Sequence, residues 1–297
     1  MAQIYSNMHK LTFYFFYIGI NLFRLVPFWL LYLKGWLTYL LIYHAVKYRR
    51  KVVIENLHKS FPEKDEAAIK QLAQKFYREN LSAIFVEGLK GFTMSQQQFK
   101  RRYRVVNPEI LDAFFEKGQD VIALATHYTN WEWGIQAVNA QIKHQAAALY
   151  KPMTNLYIER YSKKLREASG MELVPITETK AFFKSKKVKP VLYIMAADQF
   201  PGGMIDKAIW LEFLGRKTPC LHGPESYARF NNLPTVFFDV RRVKRGYYEL
   251  EIKPMFDDPT ALEPESITKT YMALLEERIR KYPSDWLWSH KRWKHEK

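Results

Sequence analysis

His127 and Glu132 are the residues whose types and spacing most directly suggest chemistry. The histidine follows an apolar run with strand character, residues 121–125 (VIALA), and the glutamate lies five positions later between two tryptophans. On one regular helix the two side chains would be about 140° apart, on different faces. They can meet only if the strand ends at His127 and the chain turns into a helix near Asn130. A histidine that a carboxylate orients and makes more basic is suited to general-base catalysis.

Four further polar residues stand beside predicted strand or helix ends: Lys151, Arg166, Asp198 and Gln199. Lysine and arginine can hold phosphate, arginine through paired hydrogen bonds. Asp198 places a carboxylate next to the amide of Gln199. A solvated basic face and an aspartate that caps its own turn explain the same residues without a ligand. We interpret all four as candidate substrate-binding residues.

Sequence patterns of competing chemistries are absent. The chain has no G-x-S-x-G elbow, P-loop, G-x-G-x-x-G or H-E-x-x-H motif. Its single cysteine, Cys220, excludes a disulfide framework and any metal site built from several cysteines, and it fits a reducing compartment. The H-x4-E pattern alone is weak, because a glutamate in the first turn of a helix is also favoured by the helix dipole. The rest of the sequence must therefore show whether this pattern is catalytic or structural.

Strand-like runs alternate with helical stretches from Asp120 onward, which predicts an α/β fold with a mixed sheet flanked by helices. Such sheets bind ligands at the carboxyl ends of their strands. His127 and Asp198 both follow strands directly, so both are expected at that edge. The strand-like runs are 121–125, 146–150, 172–176, 191–196, 234–240 and 247–252, and the helical stretches are 131–142, 155–168, 178–187, 219–230 and 266–281.

The first 46 residues are predicted to form a hydrophobic membrane-anchor helix. Residues 11–23 carry no charge, and aromatic, apolar sequence continues to Tyr43 before the basic cluster 47–51. A bilayer crossing needs about 20 apolar residues, and Arg24 interrupts this span earlier. Its tyrosines and tryptophans favour a segment anchored at or through the membrane interface, and the basic cluster places the rest in the cytoplasm. A buried amphipathic hairpin in a soluble protein is the alternative.

The remainder, residues 47–297, is predicted to be one catalytic domain, with a helical lead-in over 47–119 and an α/β core over 120–297. The net charge of +16 indicates an anionic partner, such as nucleic acid, an anionic membrane, a phosphorylated substrate or an acidic carrier protein. The aromatic content of 16% fits a membrane interface or an acyl-chain pocket better than nucleic acid. Three basic runs add a positive surface: 100–104, 184–187 and 241–245.

Several blocks, in order along the chain, resemble one known family. This family is the late acyltransferases of lipid A biosynthesis, the lauroyl/myristoyl transferases of Gram-negative bacteria, within the lysophospholipid-acyltransferase-like superfamily. The shared order of the blocks is more specific than any single one. The blocks are RRKVVIENLHKSFPE (49–63), ATHYTNWEW (125–133), YKPMTN with REASG (150–155 and 166–170), ADQ with WLEFLGRKTPCLHGPESYA (197–199 and 210–228) and PSDWLWSHKRWK (283–294).

The resemblance implies a glycerolipid acyltransferase-like fold and an enzyme on the cytoplasmic face of the bacterial inner membrane. Such an enzyme moves an acyl chain from acyl carrier protein to a hydroxyl of a lipid A precursor, without a metal or other cofactor and without nucleic acid. His127 and Glu132 fall on the catalytic pair, and Arg166 on the arginine of the next block. Gln199 is followed by Phe200 and a Pro-Gly-Gly turn, where many members are more polar.

That departure leaves the acceptor open, and a different membrane lipid, such as an ornithine- or serine-type aminolipid, is the nearest alternative. A second alternative is a thioesterase in which water replaces the acceptor. The third is a non-catalytic basic protein that binds anionic membrane or nucleic acid. The uncharged aromatic N-terminus argues against its nucleic-acid form.

Overall fold

The computed structural model describes residues 2–294, with side chains from residue 7 onward. Within this range the chain forms nine strands, interspersed with helices. The strands are β1 (Tyr103–Val105), β2 (Val121–Ala125), β3 (Gln145–Tyr150), β4 (Glu172–Pro175), β5 (Val191–Ala196), β6 (Ile209–Phe213), β7 (Arg216–Cys220), β8 (Thr235–Lys244) and β9 (Tyr247–Phe256).

Twelve α-helices occur in the same range. They are α1 (Ala2–Leu25), α2 (Phe28–Leu40), α3 (Arg50–Ser60), α4 (Glu66–Lys75), α5 (Ser82–Gly91), α6 (Gln96–Arg102), α7 (Glu109–Glu116), α8 (Trp131–Ala137), α9 (Leu156–Glu167), α10 (Thr179–Lys184), α11 (Gly223–Asn231) and α12 (Ser266–Lys281). Two π-helical segments continue the chain after α2 and α4, at Leu41–Ala45 and Phe76–Leu81.

Seven strands form one mixed sheet in the order β1-β9-β8-β2-β5-β3-β4, and β6 with β7 forms a separate antiparallel ribbon. Neighbours in the large sheet are parallel except for the β8–β9 hairpin. The central strands β2 and β5 are nearly continuous apolar runs because helices cover both of their faces. The α/β fold with a mixed sheet, predicted from the alternating pattern, is confirmed.

Alternate residues of the central strands enter two different hydrophobic clusters, one on each face of the sheet. On β2, Ile122 and Leu124 pack into the cluster that includes α12, whereas Val121 and Ala123 pack into the cluster that includes Trp133 of α8. This division follows from the two-residue period of a strand, which points successive side chains to opposite faces. The core therefore fixes β2 from both sides just before His127.

Several predicted boundaries were wrong. The helix predicted over 178–187 ends at Lys184, and the strands predicted over 234–240 and 247–252 continue to Lys244 and Phe256. The helix predicted over 219–230 begins only at Gly223, because Pro219 and Cys220 pair with β6 as the end of β7. The helix predicted over 131–142 is α-helical only to Ala137 and is followed by a 3₁₀ turn. A short strand, β1, also lies within the predicted helical lead-in.

Helices α1 and α2 pack against the body of the protein. Lys90 of α5 donates hydrogen bonds to the backbone oxygens of Phe23, Arg24 and Val26, at 3.0, 3.2 and 2.8 Å. Phe23 and Arg24 lie in the last turn of α1 and Val26 follows that helix, so Lys90 serves as its C-terminal cap. The Phe23 oxygen also accepts from the Val26 backbone nitrogen, at 3.2 Å. Across residues 2–294 no helix combines the length and hydropathy that a bilayer crossing requires.

The predicted division into an anchor over 1–46 and a catalytic domain over 47–297 stays a prediction. Its outermost residues, Met1 and 295–297, lie outside the described part of the chain.

Candidate active site

His127 and Asp198 meet at the carboxyl ends of two neighbouring parallel strands. β2 pairs with β5 in a register that sets Ala125 opposite Ala196, and each polar residue follows two positions later. His127 Nδ1 lies 2.7 Å from Asp198 Oδ1. Equivalent positions beyond paired parallel strands are adjacent in space, so the contact follows from the register. The expectation that both residues lie at one edge of the sheet is confirmed.

The Asp198 carboxylate is buried, with 1% of its side chain exposed, and both oxygens accept hydrogen bonds. Besides the His127 ring, Oδ2 accepts from the His127 backbone nitrogen at 2.9 Å and from Trp286 Nε1 at 3.0 Å. Burial alone raises the pKa of Asp198, but the charge of His127 and these donors outweigh burial and hold the pKa below its ordinary value. Asp198 is therefore ionised at neutral pH.

The His127 imidazole is held in one orientation. Burial lowers its pKa, but the Asp198 charge and hydrogen bond, together with the charge of Glu132, raise the pKa above its ordinary value. An Nδ1–H that donates to Asp198 leaves Nε2 as the acceptor of the neutral ring. Nε2 makes no hydrogen bond with the described residues, and 21% of the side chain is exposed. The ring can therefore take a proton from a bound group.

Glu132 lies in the first turn of α8, as predicted, but its hydrogen bond goes to Arg166 and not to the His127 ring. Arg166 Nη2, near the end of α9, donates to Glu132 Oε2 at 2.7 Å. The expected orienting partner of His127 therefore differs: Asp198 occupies that position. The reason is geometric, because the register between β2 and β5 places Asp198 against Nδ1, while α8 directs Glu132 toward α9. Glu132 acts on His127 through its charge.

The turn between His127 and Glu132 is fixed by buried polar contacts. The side chain of Asn130 caps α8 by accepting from Trp133 N at 3.0 Å, which confirms the helix start predicted there. Asn130 Nδ2 in turn donates to Glu87 Oε2 at 2.6 Å. Thr129 has a φ of 50°, a strained value for a β-branched residue, and its nitrogen donates to the Asp285 backbone oxygen at 2.8 Å.

The remaining predicted site residues are Lys151, Gln199 and Arg166. Lys151 follows β3 and is exposed, whereas Gln199 follows Asp198 and is half-buried. Arg166 is 15% exposed, and its Nε is buried without a hydrogen-bond partner. That unused donor is the feature of Arg166 that fits a bound oxyanion or phosphate.

The C-terminal segment supplies residues that the sequence reasoning did not place at the site. Trp286 donates to Asp198, and His290 Nε2 accepts from the backbone nitrogen of Phe200 at 3.1 Å. Burial lowers the pKa of His290 to about 4, so this ring is neutral. Asn80 and Asn56 hold the segment by donating to its backbone oxygens, at 2.9 Å to Asp285 and 3.0 Å to Trp288. The sequence signals were the family-like block 283–294 and its clustering of tryptophan and histidine.

Within residues 2–294, no group of three or more histidine, cysteine, aspartate or glutamate side chains is arranged to hold a metal ion. The arrangement can supply a base at Nε2, a buried carboxylate behind it and a guanidinium that is ion-paired with Glu132. These groups suit proton transfer from a hydroxyl, with stabilisation of a nearby negative charge.

Comparison with known proteins gives one family. The family described as bacterial lipid A biosynthesis acyltransferase matches the chain over residues 3–295. No curated protein matches the chain. Because the family match covers nearly the whole sequence, including every residue of the site, the chain belongs to the bacterial lipid A biosynthesis acyltransferases, a family of enzymes.

Proposed function

We propose that this protein transfers a fatty acyl chain from acyl carrier protein to a hydroxyl of a lipid A precursor, with His127 as the general base. The observation that carries the proposal is the 2.7 Å contact between His127 Nδ1 and Asp198 Oδ1. It fixes the tautomer in which Nε2 accepts a proton, and the raised pKa of His127 increases the basicity of that nitrogen.

In the proposed reaction, His127 Nε2 removes the proton of the acceptor hydroxyl as its oxygen attacks the thioester carbonyl carbon. The carbon–oxygen bond forms and the carbonyl oxygen takes up negative charge. Collapse of this intermediate breaks the carbon–sulfur bond, and the departing thiolate receives the proton from the His127 imidazolium. The products are the ester and the free carrier thiol. Asp198 stays ionised throughout and stabilises the imidazolium.

Glu132 and Arg166 complete the proposed site as a pair. Their 2.7 Å ion pair holds the guanidinium plane, while Arg166 Nε keeps a donor free for the developing oxyanion or for a lipid phosphate. Lys151, exposed at the end of β3, and Gln199, beside Asp198, are proposed to contact the substrate headgroup. Glu132 and His127 remain the proposed catalytic residues, and Glu132 acts by holding Arg166 and through its charge on His127.

The proposed location is the cytoplasmic face of the inner membrane, with α1 and α2 against the lipid. One stripe of α1 points outward although it is apolar: Leu11, Phe15, Ile18, Leu22 and Leu25 are 56–80% exposed. Their spacing of three and four residues puts them on one helix face. The opposite face of α1 packs through Phe13, Phe16 and Tyr17 on Tyr161 of α9. An outward apolar stripe of this kind is typical of a helix that lies in a membrane interface.

The direct test is a transfer assay with purified enzyme, acyl carrier protein carrying a fatty acid, and a lipid A precursor. Mass spectrometry is expected to find the precursor heavier by one acyl group. A parallel reaction offers an ornithine-type aminolipid, and acylation of that lipid alone would refute the lipid A acceptor. Release of free fatty acid at the same rate with and without acceptor would identify a thioesterase instead.

A further inference from the structure

Two of the three basic runs in the sequence meet beside α2, although about 140 residues separate them along the chain. Arg102, the last residue of α6, donates from Nη1 to the Gly246 backbone oxygen at 3.1 Å. Gly246 lies at the tip of the β8–β9 hairpin, and its neighbour Arg245 stacks over the ring of Tyr32 at 5.5 Å. The hairpin tip, the end of α6 and one face of α2 therefore form a single surface.

This junction needs a glycine at its centre. Gly246 has a φ of 73°, which favours glycine, and a Cβ atom on it would clash with the Tyr32 hydroxyl. The hairpin backbone therefore lies directly against the Tyr32 side chain of α2, and the Arg102 hydrogen bond holds it there. The basic residues of the tip consequently have a fixed position relative to α2.

Part of the charge in the two runs is neutralised and part is not. Glu249 forms ion pairs with both Arg104 and Arg241, and Arg242 pairs with Asp285. The other cations of the runs form no ion pair with any described acidic side chain. Four of them are exposed and are together called the basic surface: Lys100, Arg101, Lys244 and Arg245. The fifth, Arg102, is half-buried, with its guanidinium 3.4 Å from the centre of the Phe28 ring.

Exposed apolar residues of α2 lie directly beside the basic surface. Trp29, Leu33 and Trp36 are 71%, 50% and 49% exposed and flank Tyr32, which the hairpin tip contacts. Tryptophan and neighbouring cations together are typical of the interface between lipid headgroups and acyl chains. An acidic protein would match the cations but would leave this apolar row without a partner.

We propose that the basic surface binds anionic lipid headgroups, while Trp29, Leu33 and Trp36 insert among them. The proposal rests on the proposed function in one respect: the enzyme needs to bind a membrane because its acceptor is a membrane lipid. Each lysine or arginine near an anionic membrane strengthens binding about five-fold. Neutralising Lys244 and Arg245 together should therefore weaken binding about 25-fold.

The test is sedimentation of the purified full-length protein with vesicles. Lys244→Gln/Arg245→Gln is expected to bind vesicles containing phosphatidylglycerol about 25-fold more weakly than the unaltered protein, and to bind pure phosphatidylcholine equally well. The matched control is Lys184→Gln/Lys186→Gln, which should bind like the unaltered protein. Both lysines are exposed: Lys184 ends α10, and Lys186 precedes Lys187, which is close enough to Asp120, the residue before β2, to feel its charge. The hairpin instead follows the carboxyl end of β8, a parallel neighbour of β2.

Equal binding of the hairpin variant and the unaltered protein to phosphatidylglycerol vesicles would overturn the proposal. A second result would also overturn it: unchanged vesicle binding of the hairpin variant, together with a raised KM of that variant for acyl carrier protein in uncharged detergent micelles. That result would assign the basic surface to the carrier protein. The proposal expects an unchanged KM in micelles. Vesicle binding needs no transfer activity, so failure of the proposed function and failure of this inference are distinguishable.

Discussion

Replacing Asp198 by asparagine tests which carboxylate sets the properties of His127. The substitution keeps the shape but removes the charge that faces Nδ1 at 2.7 Å. A hydrogen bond to a charged group is worth about 1.5–3 kcal/mol. The pKa of His127 should fall in the variant, because burial, which lowers this pKa, is no longer opposed by the charge of Asp198.

The sign of the pH effect follows from the role of the neutral imidazole. A general base is active when it is unprotonated, so kcat/KM falls at low pH through the pKa of His127. In Asp198→Asn this acid limb should therefore move to lower pH. The plateau should fall roughly 10²- to 10⁴-fold, because asparagine can also stabilise the wrong tautomer and no longer stabilises the imidazolium.

Two control variants test whether the shift of the acid limb is specific to Asp198. Asp120→Asn alters an aspartate that precedes β2 and accepts from the Val191 backbone nitrogen at 2.7 Å, so it should leave the acid limb in place. Glu132→Gln should move the limb less than Asp198→Asn, because Glu132 contributes least to the raised pKa of His127. An unmoved limb in Asp198→Asn together with a large shift in Glu132→Gln would refute the assignment and return the partner role to Glu132.

Three further substitutions, one of them with a matched control, have defined outcomes. Arg166→Lys keeps a charge for Glu132 but loses the Nε donor, so transfer should fall about 100-fold at unchanged melting temperature; unchanged kinetics would make the guanidinium structural. Trp286→Phe removes one donor to Asp198 and should lower kcat about ten-fold, which corresponds to a barrier higher by about 1.4 kcal/mol. Its matched control is Trp288→Phe, which should change stability only, because the Trp288 indole donates to a backbone oxygen. Lys90→Met removes the side-chain donor shared by three carbonyls in and just after the last turn of α1 and should speed hydrogen exchange across α1; unchanged exchange would show that Lys90 does not hold this helix.

The parts of the site that depend on local sequence were predictable. The apolar run 121–125 ends where β2 ends, and Asn130 starts α8 because its side chain satisfies a free backbone N–H of the first turn. The end of a strand and the first turn of a helix are encoded within a few residues. His127 and Glu132 could therefore be placed at the turn between them.

The contacts within the site depended on sheet order and could not be read from spacing. Asp198 reaches His127 because β5 is the neighbour of β2, which the sequence does not state. Trp286 reaches Asp198 across 88 residues, after α12 has returned the chain to this edge of the sheet. A five-residue spacing between His127 and Glu132 looked like a pair, but the neighbouring strand supplied a better-placed carboxylate. The carboxylate that contacts His127 is therefore determined by the strand order and register of the sheet, and not by the local sequence pattern.

The central claim is that His127 Nε2 removes the proton from the acceptor hydroxyl. The most direct measurement is the single-turnover rate of acyl transfer from acyl carrier protein to the lipid acceptor by purified His127→Gln, with its melting temperature recorded alongside. The predicted result is a rate lower by roughly 10²- to 10⁴-fold in a folded protein. A folded His127→Gln that transfers acyl groups at the rate of the unaltered enzyme would contradict the account.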